Sequence, residues 1–171
     1  AKQIIKVIQE ELGRLGKNSQ NCTITDGTSG VGGDTLHFSK YFKYVNAVDI
    51  LKENTDLLQI NCNIFNVTNV RIIQSDYTNI ANVINQDVLY LDPPWGGVGY
   101  KNKEKINILM SDLPLYKIVE KINSIVFLKL PLNADISKLN VEKKIRILNK
   151  KNTPSFYLVL LRYHKVNVQL K

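Results

Sequence analysis

Residues 88–97 read VLYLDPPWGG, the pattern of a short buried strand that runs into a stiff turn. The four apolar residues predict the strand, and the Pro/Gly turn predicts its end. Asp92 therefore lies at the carboxyl end of a strand, which is where open α/β sheets bind their ligands. Pro93 and Pro94 fix two successive φ angles and remove two N–H donors. Trp95 adds an aromatic face on which a flat base or a cation can stack.

Strand and helix patterns alternate from residue 20 to residue 130. Strands are predicted at residues 22–25, 43–48, 70–74, 88–91, 124–130, 143–148 and 156–163, the last two joined as a hairpin-like pair. Helices are predicted at residues 3–15, 34–42, 51–65, 78–84, 112–122 and 134–139, with a loop at 96–105. The alternation predicts an α/β fold with a mostly parallel seven-stranded sheet, an antiparallel C-terminal edge and helices on both faces.

Positive charge is concentrated in the second half of the sequence. Residues 1–92 carry 8 Lys/Arg and 10 Asp/Glu, whereas residues 93–171 carry 15 and 5. The net charge of +8 therefore arises entirely after the proline turn. Such a field attracts a polyanion and raises its association rate, so nucleic acid is the predicted partner. A solvated lysine-rich surface is the alternative interpretation.

Length and composition indicate one domain spanning residues 1–171. No run of eighteen apolar residues predicts a transmembrane helix, and no signal peptide opens the chain, so no membrane partner is expected. Cys22 and Cys62 are predicted to be buried free thiols in a reducing intracellular compartment, the nucleus or the cytoplasm. The sequence starts in a predicted helix without an initiator Met, so we expect a piece of a longer protein.

A glycine-rich loop follows the first predicted strand. Asp26 leads it, and glycines lie at positions 27, 30, 32 and 33. The spacing is neither G-x-G-x-x-G nor that of a phosphate-binding P-loop, because no Gly-Lys-Ser/Thr follows. A leading carboxylate disfavours phosphate and favours a cationic ligand, for which the loop would form a cradle. An ordinary tight turn is the alternative.

Four consecutive predicted strands end in an aspartate: Asp26, Asp49, Asp76 and Asp92. The carboxyl ends of parallel strands meet at one edge of a sheet, so a common ligand explains the series. Asp49 is placed where a carboxylate can bind both hydroxyls of a ribose, and Asp76 where it can accept from an adenine amino group. Each aspartate alone would be interpreted as a solvated strand end or a helix cap.

The proline turn suits chemistry on an exocyclic amine of a nucleic-acid base. Such an amine is a poor nucleophile because its lone pair is delocalised into the ring. The Asp92 carboxylate and a backbone carbonyl that accept from its two N–H groups would draw the nitrogen toward tetrahedral geometry. Trp95 would hold the base by stacking, worth about 1–3 kcal/mol. His37 and His164 are too far apart in pattern to predict a metal site or a catalytic triad, and no metal is expected.

The strand-end acids and the glycine loop resemble a class I S-adenosylmethionine-dependent methyltransferase. Three segments narrow the resemblance to the trimethylguanosine synthase family, the RNA cap guanine-N2 methyltransferases. They are PPWGG at 93–97 followed by Tyr100, GVGG at 30–33 followed by Thr35, and LPLNADI at 130–136. The resemblance covers residues 2–163 and implies a Rossmann-like class I methyltransferase fold, S-adenosylmethionine as cofactor and capped RNA as substrate.

The resemblance also assigns roles to individual residues. The implied cofactor-binding residues are Asp26, Gly27, Thr28, Gly30, Gly32, Gly33, Thr35, Asp49, Ile50, Asp76, Tyr77 and Asp92. The implied catalytic residues are Asp92, Pro93, Pro94 and Trp95, and the implied substrate contacts are Trp95, Lys101, Lys103 and Asn133. Trp95 would stack on 7-methylguanine, whose positive charge adds cation–π attraction.

Two departures from the family's pattern leave alternatives open. The family usually has Ser before the two prolines, whereas Asp92 is typical of adenine-N6 and ribosomal guanine-N2 methyltransferases. A methyltransferase that acts on internal bases of RNA or DNA is therefore the first alternative, and a non-catalytic binding module is the second. The family's N-terminal extension, which closes over cofactor and cap, is expected to be shortened or absent here, or supplied by a partner domain or subunit.

Overall fold

The computed structural model describes residues 1–162. Its strands are β1 (Thr23–Asp26), β2 (Tyr44–Asp49), β3 (Val70–Gln74), β4 (Val88–Leu91), β5 (Leu109–Met110), β6 (Leu113–Pro114), β7 (Ile125–Leu130), β8 (Val141–Leu148) and β9 (Pro154–Arg162). Its α-helices are α1 (Lys2–Arg14), α2 (Thr35–Phe38), α3 (Lys52–Ile64), α4 (Tyr77–Ile80) and α5 (Leu115–Val119). Short 3-10 helices cover Ser19–Asn21 and Val98–Asn102.

Seven strands form one sheet in the order β3-β2-β1-β4-β7-β9-β8. The pairs from β3 to β7 are parallel, and β9 runs antiparallel to both β7 and β8. This arrangement confirms the predicted mostly parallel sheet with an antiparallel C-terminal edge. The strand order reverses between β1 and β4, and the crevice at their carboxyl ends is the usual ligand site of such sheets.

The two faces of the sheet are covered by different helices. In β4, Val88 and Tyr90 pack with α1 and α2, whereas Leu89 and Leu91 pack with α5 on the opposite face. All four side chains are buried, as expected for a central strand covered on both sides. The apolar stripe of α1, predicted from helical spacing, lies on the first face. Among the described residues no helix is long and apolar enough to cross a membrane.

Three predicted helices are shorter than the sequence pattern indicates. Helix α2 ends at Phe38 instead of residue 42, because Asn69 Nδ2 donates to the carbonyls of Ser39 and Phe42 and holds the following residues in a turn. Helix α4 covers Tyr77–Ile80, so it begins one residue before the predicted 78–84 and ends four residues earlier. Helix α5 covers Leu115–Val119 of the predicted 112–122, because the preceding residues form the β5–β6 hairpin.

The helix predicted at 134–139 is wrong. Asp135 N donates to the Ile106 carbonyl at 2.7 Å, and Ser137 N donates to Asp135 Oδ1 at 2.9 Å. These bonds use the backbone that a helix would need, so the segment is a turn region that crosses toward β8. The final strand was predicted to reach Tyr163, and that residue and His164 lie outside the described residues. Cys22 and Cys62 are buried free thiols, as predicted.

Candidate active site at the carboxyl edge of the sheet

Four aspartates lie at the carboxyl ends of the first four strands. Asp26 and Asp49 are the last residues of β1 and β2, and Asp76 and Asp92 follow β3 and β4 within two residues. Because these strands are parallel, all four carboxylates lie on the same edge of the sheet. The predicted common edge is therefore present, and it coincides with the crevice where the strand order reverses.

Asp26 organises the glycine loop from inside the protein. Its side chain is buried, accepts the Thr35 hydroxyl at 2.6 Å and receives the Thr28 backbone N–H at 3.4 Å. Burial raises the pKa of Asp26 to about 7, although both hydrogen bonds favour the ionised form. Asp26 therefore holds the loop together through these two hydrogen bonds.

Two glycines of the loop occupy space that a side chain would need. A Cβ on Gly27 would overlap Leu91 Cδ2, and one on Gly32 would overlap Leu58 Cδ1. Gly32 also has φ +100°, a conformation that residues with a Cβ rarely adopt. Gly33 has no atom within 4 Å of an added Cβ, so its backbone faces open space. The loop thus packs tightly against the sheet on one side and is open toward the crevice on the other.

Asp49 is tied to the same loop. Its Oδ2 accepts from Gly30 N at 2.9 Å, and its Oδ1 accepts from Leu51 N at 2.9 Å and Asn54 Nδ2 at 3.0 Å. A carboxylate offers about four acceptor positions, so about one stays open for a ribose hydroxyl. The two-hydroxyl contact predicted from sequence would require one of these bonds to be displaced.

Asp76 caps helix α4 and meets the tip of the β5–β6 hairpin. It accepts the backbone N–H and the hydroxyl of Thr78, each at 2.8 Å. Burial raises the pKa of Asp76, but hydrogen bonds from Ser111 and Thr78 outweigh it and hold the pKa below its usual value. Tyr77 is buried behind it, and burial raises the pKa of Tyr77 to about 12. The hairpin, which the sequence pattern did not reveal, therefore covers this side of the crevice.

Asp92 is ion-paired rather than free. Lys129 Nζ lies 2.5 Å from Asp92 Oδ2 and 3.9 Å from Asp34 Oδ2, while Asp34 accepts the Tyr90 hydroxyl at 2.7 Å. Burial raises the pKa of Asp92, the Asp34 charge adds to the rise, and the Lys129 ammonium counteracts part of it. Thr28 Oγ1 accepts from Asp92 N at 2.8 Å, which links the proline turn to the glycine loop.

Trp95 is half-buried beside this ion pair. Its ring packs edge-to-face on Tyr100 with a centroid distance of 5.4 Å and an interplanar angle of 82°. Its Nε1 is buried and has no partner of ordinary hydrogen-bond geometry among residues 1–162, although the N–H opposes the rise in the Asp92 pKa. Pro93 is buried and Pro94 is exposed at the rim. The turn therefore presents an aromatic side chain, an exposed proline and a carboxylate together.

The remaining predicted substrate residues lie on the loop after the turn. Lys101 and Lys103 are exposed, and Lys101 Nζ lies 5.9 Å from the Tyr100 ring centroid. Asn133 Nδ2 donates to the Tyr100 and Lys103 carbonyls at 2.8 and 2.7 Å. Asn133 therefore anchors the loop, and only its side-chain oxygen is left for the substrate contact that the resemblance implies.

Two cavities meet at the centre of the site. The first, of about 380 Å³, contains the predicted residues Gly27, Thr28, Asp49, Ile50, Asp76, Tyr77, Asp92 and Pro94 in its lining. The second, of about 530 Å³, contains Asp26, Thr28, Gly30, Gly33 and Asp92 in its lining. They share Thr28 and Asp92, so an elongated ligand can extend through both. No cluster of three or more His, Cys, Asp or Glu suited to a metal ion occurs in the part of the chain that the structure describes.

Sequence reasoning missed several residues that line these cavities. Ser29, Asp34, Tyr90 and Lys129 lie on the side of the glycine loop, and Met110 and Ser111 on the side of the hairpin. Tyr90 and Lys129 occur within apolar strand patterns, where only the strand pairing shows that they reach the site. Ser111 and Asp112 have φ +51° and +60°, which is the backbone of a two-residue hairpin turn without its usual glycine or asparagine.

A family model and two known proteins match most of this chain. The family model of the RNA cap guanine-N2 methyltransferases matches residues 21–166. An uncharacterized protein, L320, of Acanthamoeba polyphaga mimivirus is 30% identical over 147 residues, which are 81% of this chain and 57% of that protein. The trimethylguanosine synthase of Schizosaccharomyces pombe is 27% identical over 151 residues, 81% of this chain and 58% of that protein. The chain thus spans somewhat more than half the length of these relatives.

Solved structures share the fold. The Thermus thermophilus 16S rRNA N2 G1207 methyltransferase RsmC, in complex with AdoMet and guanosine, matches with a TM-score of 0.65 and 16% identity. The match covers 92% of this chain and 41% of that one. An rRNA methylase from Streptococcus thermophilus matches with a TM-score of 0.61 and 15% identity, over 94% and 97% of the two chains. These likenesses confirm the predicted Rossmann-like class I methyltransferase fold.

Proposed function

Because the chain belongs to the RNA cap guanine-N2 methyltransferase family, we propose that it transfers a methyl group from S-adenosylmethionine to N2 of a 7-methylguanosine cap. The observation that carries the proposal is the proline turn. It holds Asp92, which lines both cavities, and Trp95, which lies outside both linings but whose N–H acts on the Asp92 carboxylate. A carboxylate for an amine and an aromatic face for a charged base are the two contacts that this reaction needs.

The crevice fits S-adenosylmethionine in shape and in donor set. The cavity at Asp49, Asp76 and Tyr77 would hold the adenosine part, and the cavity at the glycine loop would hold the methionine part. Ser29 Oγ is buried there without a hydrogen-bond partner among residues 1–162. Buried hydroxyls are rarely left unpaired, so a polar group of a ligand would complete the loop.

The bound cofactor would supply an electrophilic methyl group, and the chain would supply position and charge. Lys129 occupies Oδ2 of Asp92, which leaves Oδ1 to accept one N–H of the guanine amine. The Pro93 carbonyl, which accepts no hydrogen bond from another residue in the 1–162 region, would accept the other. Two acceptors fix the amine in line with the methyl carbon, and such positioning supplies much of a transfer rate.

The same carboxylate would remove the surplus proton. Attack of the N2 lone pair on that methyl carbon would release the S–C bonding electrons to sulfur and would leave N2 with a positive charge. Asp92 has a raised pKa because it is buried, which makes it a better proton acceptor than an exposed aspartate. The proton would pass from N2 to Asp92 and then to solvent.

Trp95 would select the methylated cap. A 7-methylguanine ring carries a formal positive charge, so stacking on an indole gains cation–π attraction that plain guanine lacks. Edge-to-face packing on Tyr100 and the anchored 98–103 loop hold the indole in place before the base arrives. Preorganisation of this kind lowers the cost of ordering the site on binding.

The test is methyl transfer from labelled S-adenosylmethionine to three substrates in parallel. They are the 7-methylguanosine cap dinucleotide, the same dinucleotide without the 7-methyl group, and uncapped RNA. Transfer to the methylated cap alone, lost in Trp95→Ala, is the expected result. Transfer to all three at similar rates would contradict the proposal.

One observation favours a second candidate within the same chemistry. Asp92 takes the place of the Ser that is usual in the family, and this aspartate is typical of enzymes that methylate amines of internal bases. A methyltransferase for an adenine or guanine amine inside RNA or DNA would label uncapped nucleic acid and ignore the dinucleotide. A binding module would label none of the three substrates and would not bind S-adenosylmethionine.

A further inference from the structure

A row of paired residues leads from the proline turn to the far edge of the sheet. Leu91 of β4, the residue before Asp92, pairs with Leu128 of β7. Leu128 pairs with Val159 of β9, which in turn pairs with Lys144 of β8. Three strand spacings separate Leu91 from Lys144, about 14 Å. Lys144, and Arg146 two residues further along β8, therefore lie on the level of the candidate active site, within a few nucleotides of it.

Three exposed cations lie at this edge. Lys138, in the segment before β8, and Lys144 and Arg146 of β8 are all exposed. None of them forms an ion pair with a carboxylate among residues 1–162, whereas Lys143 between them is paired with Glu11. Their charges are therefore available to a ligand.

Aromatic rings hold two of these cations in place. Lys138 Nζ lies 5.2 Å from the Tyr116 ring centroid, and Lys144 Nζ lies 4.5 Å from that of Tyr157. A lysine that rests on a ring gives up less freedom when it binds a phosphate than one that moves freely in water. Interleaved cations and aromatic rings are also the composition of surfaces that bind single-stranded nucleic acid.

The cations and the candidate active site belong to the same face of the molecule. Tyr157 and Trp95 pack against one hydrophobic cluster, the one that lies under α5. The loop that follows Trp95 is attached to the segment after β7. Asn133, three residues beyond the end of β7, donates from Nδ2 to the Tyr100 carbonyl at 2.8 Å. A ligand bound at Trp95 can therefore continue over this surface without passing around the edge of the sheet.

We propose that Lys138, Lys144 and Arg146, with Tyr116 and Tyr157, form a basic track that binds the RNA nucleotides following the cap. This inference rests on the proposed cap activity and extends the substrate from a dinucleotide to a capped RNA. The cap guanine lies at Trp95, the triphosphate spans the gap, and the phosphates of the first nucleotides contact the three cations. The track is sequence-independent, because its contacts are to phosphates.

Charge complementarity favours RNA over a protein partner. Residues 93–171 hold 15 Lys/Arg against 5 Asp/Glu. Two of these acids lie beside the track, Asp135, which is paired with Lys105, and Glu142 of β8, so the surface keeps an excess of positive charge. The substrate proposed for the neighbouring site is a capped RNA, which is a polyanion. The RNA chain beyond the cap must extend out of that site over some part of the surface. Phosphate contacts of this kind make binding strongly dependent on salt.

The test compares a capped RNA of about ten nucleotides, within the usual site sizes of single-strand grooves, with the cap dinucleotide. The variant is Lys138→Ala/Lys144→Ala/Arg146→Ala in the whole chain. Binding of fluorescently labelled RNA is expected to weaken about tenfold or more at low salt, and the slope of log K against log salt to fall by about two. Binding and methylation of the dinucleotide are expected to stay at the parent level.

The matched control is Lys40→Ala/Lys43→Ala/Arg71→Ala, which removes two lysines and one arginine that are exposed near the opposite side of the sheet. The control is expected to keep the affinity and the salt slope of the parent. Equal losses in both variants would overturn the track, and so would a parent that binds capped RNA no better than the dinucleotide. Loss of RNA binding in the track variant alone, in a protein that methylates no cap, would support the track and refute the proposed function. If the track variant bound capped RNA as tightly as the parent, the RNA track would be refuted and a protein partner would be the remaining occupant of this surface.

Discussion

Lys129 and Asp92 form an ion pair of 2.5 Å although they are 37 residues apart in the chain. The pairing of Leu91 with Leu128 places the next residue of each segment side by side, so the register of β4 and β7 creates the contact. The aspartate is therefore accompanied by a cation from the neighbouring strand, and its charge is partly neutralised within the site.

Replacing Lys129 with Met is expected to shift the acid side of the pH–rate profile to higher pH. Burial already raises the pKa of Asp92, and loss of the ammonium removes a factor that opposes the rise. In the proposed reaction the ionised carboxylate accepts from the amine, so a higher pKa means that activity is lost at a higher pH as the solution is acidified. The measurement is kcat/KM of methyl transfer against pH.

Lys143→Met is the matched control for that experiment. Lys143 is also paired with a carboxylate, that of Glu11, but outside the cavities of the site. Its replacement is expected to leave the pH–rate profile in place, and Lys129→Arg is expected to restore most of the parent profile. An unmoved acid limb in Lys129→Met would show that the ion pair does not set the protonation of Asp92.

Trp95 is expected to report cap binding directly, because it is the single tryptophan of the chain. Stacking of 7-methylguanosine triphosphate should quench its fluorescence, and plain guanosine triphosphate should quench it much less. Trp95→Ala should weaken cap binding by about 1–3 kcal/mol, while Trp95→Phe should retain part of it. Cofactor binding by calorimetry should be unchanged in both variants. Equal quenching by both nucleotides would argue against selection by charge.

Gly32 and Gly33 are expected to respond differently to the same substitution. Gly32→Ala would drive a Cβ into buried Leu58 at φ +100°, so we expect a loss of about 2–4 kcal/mol in the free energy of unfolding. Gly33→Ala meets no atom within 4 Å and should stay within about 0.5 kcal/mol of the parent. Urea denaturation of the two variants measures the difference. Equal stabilities would mean that the loop does not pack on α3 as described.

Asp26 is expected to make stability depend on pH in an unusual direction. Its pKa is raised to about 7 by burial, so between about pH 4 and pH 7 the native state holds a proton that the unfolded state has lost. Its contribution to stability is therefore present in full below the unfolded pKa and declines as the pH rises to about 7, by at most about 4 kcal/mol. Denaturant midpoints across this range should show a smaller decline in Asp26→Asn.

Asp135→Asn provides the control for this pH dependence. Hydrogen bonds from Ser137 lower the pKa of that half-buried carboxyl to about 2, so it does not change protonation in the native state between pH 4 and pH 7. Its replacement should leave the decline as it is in the parent. A parent whose stability rises steadily over this interval, with no change in Asp26→Asn, would contradict a buried, protonated Asp26.

Much of the sheet could be predicted because its signals are local. Apolar runs that end in Asp26, Asp49, Asp76 and Asp92 give the strands, their direction and the edge at which the acids meet. Asp49, Asp76 and Asp92 line the first cavity, and Asp26 and Asp92 line the second. These features depend only on the pattern within each strand and on the rule that parallel strands share a carboxyl edge.

The features that the sequence did not reveal depend on contacts between distant segments. From the sequence, Lys129 is an isolated polar residue in an apolar strand. Only the register of β7 with β4 shows that it lies next to Asp92. Ser111 lies in a hairpin whose turn lacks glycine and asparagine, so the segment was predicted as the start of a helix. The turn at residues 134–139 pairs its backbone with Ile106, a partner about thirty residues away that no local pattern shows.

The position of the transferred methyl group tests the central claim most directly. S-adenosylmethionine with a ¹³C-labelled methyl group would be incubated with the 7-methylguanosine cap dinucleotide and the whole chain, and the product examined by NMR. A labelled methyl carbon bonded to N2 of the 7-methylguanine is the predicted result. A label at any other atom, or label found only in uncapped RNA supplied in the same reaction, would contradict the assignment of this site to the cap guanine.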